Sequence, residues 1–398
     1  MSDESTGVIE APRSHRRIVG RIRGATAGPT VIVMTAIHGN EPAGLEAAER
    51  VLAGLESAGP RRLRGQFVVL AGNLAALRDR ARFIERDLNR QWTPAKVERI
   101  RAGEDDGAVE QREQRQLLEA LDELVGRAAG RIHFLDLHTS SADGPPFLTV
   151  GDTLVNRNFA LRLPLPLILG LEEQVDGALL EYLNNCGVVT LGVEAGHHDD
   201  ASSVDRHEAV LWLTLAAARM LVDPPRAELG RRRRLLAEAT RGIPRVSEVR
   251  QRHAIAEDDQ FRMERGFRNF QRVRRGMLLA HDRNGPIRAA QDGLILLPLY
   301  QAQGDDGFFL SGDVSRMWLV LSALLRHLRL DRLTWILPGV RRRPGHADQL
   351  LVSTRIARWY PLEVFHLFGF RKLRRTPSTL LVSRRRFDLA PPERVRLS

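Results

Sequence analysis

His38 and Glu41, separated by two residues in "VIVMTAIHGNEPAG" (31–44), are the first side chains whose types and spacing could do chemistry. An apolar, β-branched run ends there in a His, a Gly, an Asn and a Glu, and Pro42-Ala43-Gly44 then opens a helix. A tight turn would bring both polar groups toward one point. Taken alone, a His before a Gly turn is more often structural than catalytic. Two further stretches reverse that judgement: "RIHFLDLH" (131–138) ends in His138, and "GVVTLGVEAG" (187–196) carries Glu194 near its end. In open α/β sheets ligands gather beyond the carboxyl ends of the strands. Two neutral imidazoles, one carboxylate and an open position make a catalytic zinc set. Asp136, two residues before His138 on the same strand face, is placed to orient a ligand from behind.

A fourth stretch, "ARFIERDLNRQW" (81–92), sets arginines and an asparagine among apolar residues. Arg82 could reach a reacting carbonyl, and Asn89 with Arg90 could hold a substrate carboxylate through planar, multi-donor contacts. Glu85, Arg86 and Asp87 also read as a salt-bridged loop, and for Arg86 that reading is preferred. His197 and His198 read as loop residues near enough to touch substrate, not as ligands.

These side chains need a frame. Residues 17–23 and 30–36 read as strands around a "GATAGPT" turn, 44–57 as an amphipathic helix, and 65–73 as a short β-branched run. Residues 109–128 show helical spacing of apolar positions. A helix is expected near 205–222. Strands alternating with helices predict an α/β domain with a mainly parallel or mixed sheet over residues 15–225. "PPRAELGRRRRLL" (224–236) reads as a boundary, and its four consecutive arginines as a solvated face. A small β-domain is expected over 244–312, and 315–398 forms a basic C-terminal extension of unknown role.

With 398 residues, 43% of them hydrophobic and 27% charged, the chain can bury substantial cores and is not of disordered type. The formal net charge is +11, and Lys96 and Lys372 are the only lysines, so arginine carries nearly all the positive charge. That bias is attributed first to genomic composition, and no specific nucleic-acid partner is expected. Cys186 stands alone, which excludes an intrachain disulfide and a cysteine-based zinc site. The first seventeen residues lack the apolar core of a signal peptide, and no apolar run reaches the roughly 18 residues of a spanning helix. A cytoplasmic location is expected.

The ordered series "HGNE", "RDLNR", "DLHTS", "GVEAG" resembles the succinylglutamate desuccinylase/aspartoacylase family, relatives of zinc carboxypeptidases, over about residues 15–310. The resemblance implies a zinc-carboxypeptidase-like mixed sheet flanked by helices, with a small C-terminal β-domain. It implies one Zn2+ per chain held by His38, Glu41 and His138, and Glu194 as the catalytic glutamate. Arg82, seven residues before Asn89, has the spacing of the family's carbonyl-polarising arginine, and Asn89 and Arg90 match its substrate-carboxylate pair. Aspartoacylases place another arginine shortly before the catalytic glutamate, where this chain reads "LEYLNNCGV" with Asn184 and Asn185. The family's substrate-contacting tyrosine falls near Tyr300, with Phe308 and Phe309 as competing positions.

The resulting expectation is a zinc-dependent amidohydrolase that cleaves a small N-acyl amino acid or a related carboxylate-bearing amide, working as a homo-oligomer. The alternatives are a carboxypeptidase-like metallopeptidase and a noncatalytic scaffold binding anions or membrane. For the tail, "MWLVLSALLRHLRLDRLTWILPGVRRRP" and "RWYPLEVFHLFGFRKLRR" are compatible with a membrane-surface helix. The preferred reading is a small extra domain whose apolar face packs on the catalytic core or on a second subunit.

Overall fold

The computed structural model describes residues 16–357, 362–376 and 378–397. The amino-terminal stretch read for a signal peptide lies almost wholly outside the described residues, as do Trp359, Tyr360 and Pro361 of the tail.

The first part of the chain alternates strands and helices: β1 (Ile18–Arg23), β2 (Thr26–Thr35), α1 (Ala43–Ala58), β3 (Arg64–Ala71), α2 (Leu74–Asp79), α3 (Pro94–Arg101), α4 (Val109–Gly126) and β4 (Ile132–Ser140). Then come β5 (Phe147–Thr149), α5 (Leu154–Ala160), β6 (Leu167–Leu169), α6 (Leu179–Asn185), β7 (Val189–His197), α7 (Ser202–Ala217) and α8 (Arg226–Ala239). The β-rich part holds β8 (Val246–Ala254), β9 (Arg262–Met263), β10 (Gln271–Val273), β11 (Leu278–Asp282), β12 (Gly285–Arg288), β13 (Gly293–Leu296) and β14 (Asp306–Asp313). The C-terminal region has α9 (Arg316–His327), β15 (Val340–Arg343), β16 (His346–Ser353), α10 (Thr354–Ala357), α11 (Leu362–Leu367), β17 (Phe370–Arg375) and β18 (Thr379–Arg384).

One mixed sheet runs in the order β1-β3-β2-β4-β7-β5-β6-β8-β14-β13-β10. Its centre, β3-β2-β4-β7, is parallel. Strands there are covered on both faces, which is why they read as unbroken apolar runs instead of alternating ones. On β2, Val31 and Val33 join the core beneath α1 and α7, while Ile32 and Met34 join the core that includes Leu117 and Leu121 of α4. The chain winds from β2 to β3 on one side and returns to β4 on the other. The β2/β4 boundary is thus the topological switch point, where the carboxyl ends of parallel strands leave room for a ligand.

The structure fills in three local readings. The "GATAGPT" stretch is mostly strand, because β2 begins at Thr26 and the reversal is confined to Gly24 and Ala25, whose amides bond to Gly65 and Pro60 carbonyls. The region around 224–236 is largely helix α8, fastened to α7 by Arg232 with Glu208 at 2.9 Å and by the Arg232 guanidinium over Trp212. The β-rich segment is not detached from the main sheet: β8 pairs with β6, and β14, β13 and β10 follow outward.

The C-terminal region forms its own four-stranded sheet, β15-β16-β18-β17, around Leu350, Val352, Phe365, Phe370 and Val382. Its helix α9 does not turn its apolar stripe onto the catalytic core. Ser322 and Arg326 face inward, while Leu321, Leu324 and Leu328 are exposed. Asp152 and Asp388 draw Arg326 inside, at 3.0 and 3.1 Å.

Candidate metal centre and cavity

Beyond β2 the backbone turns sharply. Gly39 lies so close to the next segment that a Cβ there would sit 2.0 Å from the Ala76 carbonyl carbon, so no larger residue fits at position 39. The Glu41 amide closes the turn on the His38 carbonyl, and Pro42 caps α1. His38 and Glu41 are therefore fixed by backbone geometry before any ligand arrives. His138 and Glu194 lie beside each other in register on β4 and β7, each a few residues before its strand ends.

The side chains converge. His38 Nδ1 is 2.8 Å from Glu41 Oε1, and His138 Nδ1 is 3.0 Å from Glu41 Oε2. The Thr139 amide also donates to Glu41 Oε2 at 3.0 Å. Behind the rings, His38 Nε2 lies 3.3 Å from Asp87 Oδ1 and His138 Nε2 lies 3.0 Å from Asp136 Oδ2. Each imidazole thus turns one nitrogen inward and has the other backed by a carboxylate, the arrangement that fixes ring orientation and basicity in metal sites. Candidate ligand atoms of His38, Glu41 and His138 all lie within 4.8 Å of one another, and all three residues are buried. Borderline-soft imidazole with a single carboxylate suits a divalent ion such as zinc, so the residues fit the metal that the sequence resemblance implies.

The electrostatics follow from burial and proximity. Burial works against a charged Glu41, but His38 and His138 outweigh it and hold the carboxyl well below the usual range. Burial would lower His138, yet Asp136 and Glu41 raise it well above an ordinary imidazole. Asp87, opposed by burial, is likewise held low by His38 and Arg82. Glu194 behaves differently. Burial pushes it up to about 8, against the pull of His138 and with the help of Glu41, and its Oε2 has no hydrogen-bond partner. A buried carboxyl with an unpaired oxygen beside a candidate metal centre is equipped to exchange a proton near neutral pH.

Arg82 Nη2 donates to Asp87 Oδ2 at 3.1 Å, and its Nη1 stands 3.6 Å from Glu41 Oε1. Asn89 uses its Oδ1 to accept from the Leu179 amide. Arg90 Nη2 donates to Asp306 Oδ2 at 2.9 Å, and Arg252 binds the same carboxylate from the other side. All seven predicted residues line one cavity, walled further by Leu180, Leu297, Leu299 and Phe309.

Other residues sort themselves around this cavity. His198 lines it, bonding Thr139 Oγ1 at 2.7 Å, whereas His197 accepts from the Asp199 amide. Tyr300 does not line it; the hydroxyl is held by the Glu264 carbonyl and the Phe267 amide. Phe309 lines it, while Phe308 stacks on His253 in the β-region core. Asn184 packs in a buried amide network with Asn156, 2.8 Å away, and does not face the ligand space. The residue that sequence reasoning missed is Asp87. Its position in "RDLNR", two residues before Asn89, was the available signal.

Residues 27–209 match the Succinylglutamate desuccinylase/Aspartoacylase catalytic domain. A succinylglutamate desuccinylase of Pseudomonas putida is 44% identical over 63 residues, covering 16% of this chain and 18% of the relative. One from Pseudomonas fluorescens is 34% identical over 113 residues, covering 28% and 31%. The matched stretches therefore span less than a third of the length of these curated relatives. Among solved structures, a succinylglutamate desuccinylase/aspartoacylase from Rhodobacter sphaeroides superposes with a TM-score of 0.55 at 19% identity, over 75% of this chain and 88% of the other. The product-bound ectoine utilization protein from Ruegeria pomeroyi gives 0.54 at 19%, over 73% and 87%. At these identities the superpositions speak to the fold, and they agree with the mixed sheet described above. Over residues 27–209 this chain is thus similar to the catalytic domain of the succinylglutamate desuccinylase/aspartoacylase family.

Proposed function

We propose that the protein is a zinc-dependent amidohydrolase that removes the acyl group from a small N-acyl amino acid or a related carboxylate-bearing amide. The observation that carries this reading is the convergence of His38, Glu41 and His138, each ring backed by an aspartate, beneath a cavity that Glu194 also enters. Zinc, when held by those three residues, supplies Lewis acidity to the scissile carbonyl and to the attacking water. Glu194 takes the proton of that water and delivers it to the leaving amine. Arg82 stabilises the negative charge growing on the carbonyl oxygen, a contribution of about 2.7–4 kcal/mol at comparable sites. Asn89 and Arg90 hold the substrate carboxylate, with Asp306 orienting the Arg90 guanidinium.

The test is a screen of zinc-loaded protein against N-acyl amino acids, their uncharged amides and short peptides, reading free amine. Release from N-acyl amino acids that is lost on chelation and restored by zinc is the expected result. Release confined to peptides would assign a peptidase instead, and no metal-dependent release from any of them would defeat the proposal.

A further inference from the structure

Helix α9 carries an apolar stripe that none of the described residues covers. Met317, Val320, Leu321, Leu324 and Leu328 follow helical spacing on one face, and all are exposed, Met317 by 82% and Val320 by 69%. The opposite face holds buried Ser322 and Arg326. The exposed apolar character continues through the following turn in Leu333, Trp335 and Ile336. Isolated exposed apolar residues are ordinary, but a run of eight over one helix and its adjoining turn marks an interaction surface.

Charge says what kind. Arg316, Arg329, Arg332, Arg341 and Arg342 are all exposed in this same segment, and none forms an ion pair among the described residues. Arg342 lies over the Trp335 ring at 5.2 Å. From Val314 to Ala347 the only acid is Asp331, which is buried and taken by Arg384 at 3.0 Å. A second copy of this chain docking by the same face would set arginine against arginine with no acid to receive them. A surface of anionic phosphates with hydrocarbon beneath it fits both halves of the pattern, apolar side chains entering and guanidiniums reaching the headgroups. Among the described residues no helix is long and apolar enough to cross a membrane. Twelve residues of α9 would instead lie along the surface.

We propose that the outward face of α9 and its following turn docks the protein peripherally on an anionic lipid bilayer. The inward face keeps the helix in place: Arg326 bonds the Asp152 carbonyl and carboxylate and the Asp388 carboxylate. Changes to the outward leucines therefore leave the fold intact.

The experiment is flotation of the full chain with vesicles of equimolar phosphatidylcholine and phosphatidylglycerol, against pure phosphatidylcholine, with light scattering on the same samples. The protein should float with the mixed vesicles and much less with the neutral ones. The double variant Leu324→Asp with Leu328→Asp should lower partitioning by about tenfold or more while keeping the wild-type circular dichroism and melting profile. Arg332→Gln should lower it by about fivefold and flatten its salt dependence. Failure to float with mixed vesicles at low salt overturns the proposal. So does flotation unaffected by the double variant, which would mean binding by diffuse basic charge. A dimer that the double variant dissolves, with no vesicle binding by wild type, would give the face to a second copy.

Discussion

Beneath the cavity the cation-forming groups are mainly imidazoles, His38 and His138, with Arg82 beside them, set among Glu41, Asp87 and Asp136. Where the C-terminal region joins the catalytic part they are mainly guanidiniums, Arg157, Arg326 and Arg385, set among Asp152, Glu172, Glu173 and Asp388. Both clusters are buried and both alternate sign. A guanidinium has five donors and no lone pair to give, so the second cluster can only hold elements together. An imidazole offers a lone pair, so the first can ligate and exchange protons. Buried charge by itself does not identify a site. The type of base, and whether donors converge on a shared gap, does.

The largest expected effects separate the clusters by metal and turnover. His138→Ala should drop zinc from about one per chain to a small fraction, measured by elemental analysis of the purified protein, and abolish metal-dependent amine release. Glu194→Gln should retain metal and fold but lower kcat by about 10²–10⁴. Full zinc occupancy in His138→Ala would remove the distinction drawn here. Near-normal kcat in Glu194→Gln would move the proton transfer to another group, with His198, which also lines the cavity, the first to test.

Arg326→Ala is the reciprocal test. Its side chain is 1% exposed, and removing it takes the cation from Asp388 and leaves Asp152 to Arg157 alone. The expected loss is about 3–5 kcal/mol of stability, read by denaturant unfolding, with zinc per folded chain unchanged. Loss of zinc without loss of stability would mean that the two clusters are one.

Arg90 stands between the two classes, since it lines the cavity and also pairs with Asp306. Arg90→Ala should cost carboxylate substrates about 1.5–3 kcal/mol in kcat/KM, the scale of a hydrogen bond to a charged group, and spare their uncharged amides. Equal losses on both would place Arg90 with the structural arginines.

Much of the imidazole cluster was legible because its parts are local. An apolar run that ends in "HGNE" specifies a strand and a turn within a few residues, and the parallel sheet then fixes which strand ends are neighbours. Asp87 was less legible, because its role depends on the 80–90 loop folding back over β2, which no periodicity encodes. The same limit applies to α9. Helical spacing there gives the helix and its apolar stripe, but the stripe's direction depends on Asp152 and Asp388, far away in sequence. Likewise β5 and β6, at three residues each, are too short to show a pattern, yet they join the β-rich part to the main sheet.

One imidazole also sits in the arginine cluster, and its effect appears only as pH changes. His366 on α11 is 3.0 Å from Glu173 Oε2 and 2.5 Å from Glu248 Oε1, so it ties the C-terminal region to both the loop after β6 and strand β8. Burial disfavours its charge, but Glu173 and Glu248 overcome burial and raise it to about 10. Glu173 also accepts from the Lys372 amide and from Arg385, which keeps it ionised beside the ring. The folded value exceeds the ordinary imidazole value near 6.5, so the folded state binds more protons between those limits. The stabilisation from His366 is therefore complete below about pH 6.5, falls by at most about 1.4 kcal/mol per pH unit above it, and is gone near pH 10. Urea midpoints measured from pH 6 to 9 should decline for the wild type and decline less for His366→Gln, with zinc content constant in both. A wild-type slope that His366→Gln leaves unchanged would show that the ring adds no proton-linked stability, and that arginines alone hold the C-terminal region.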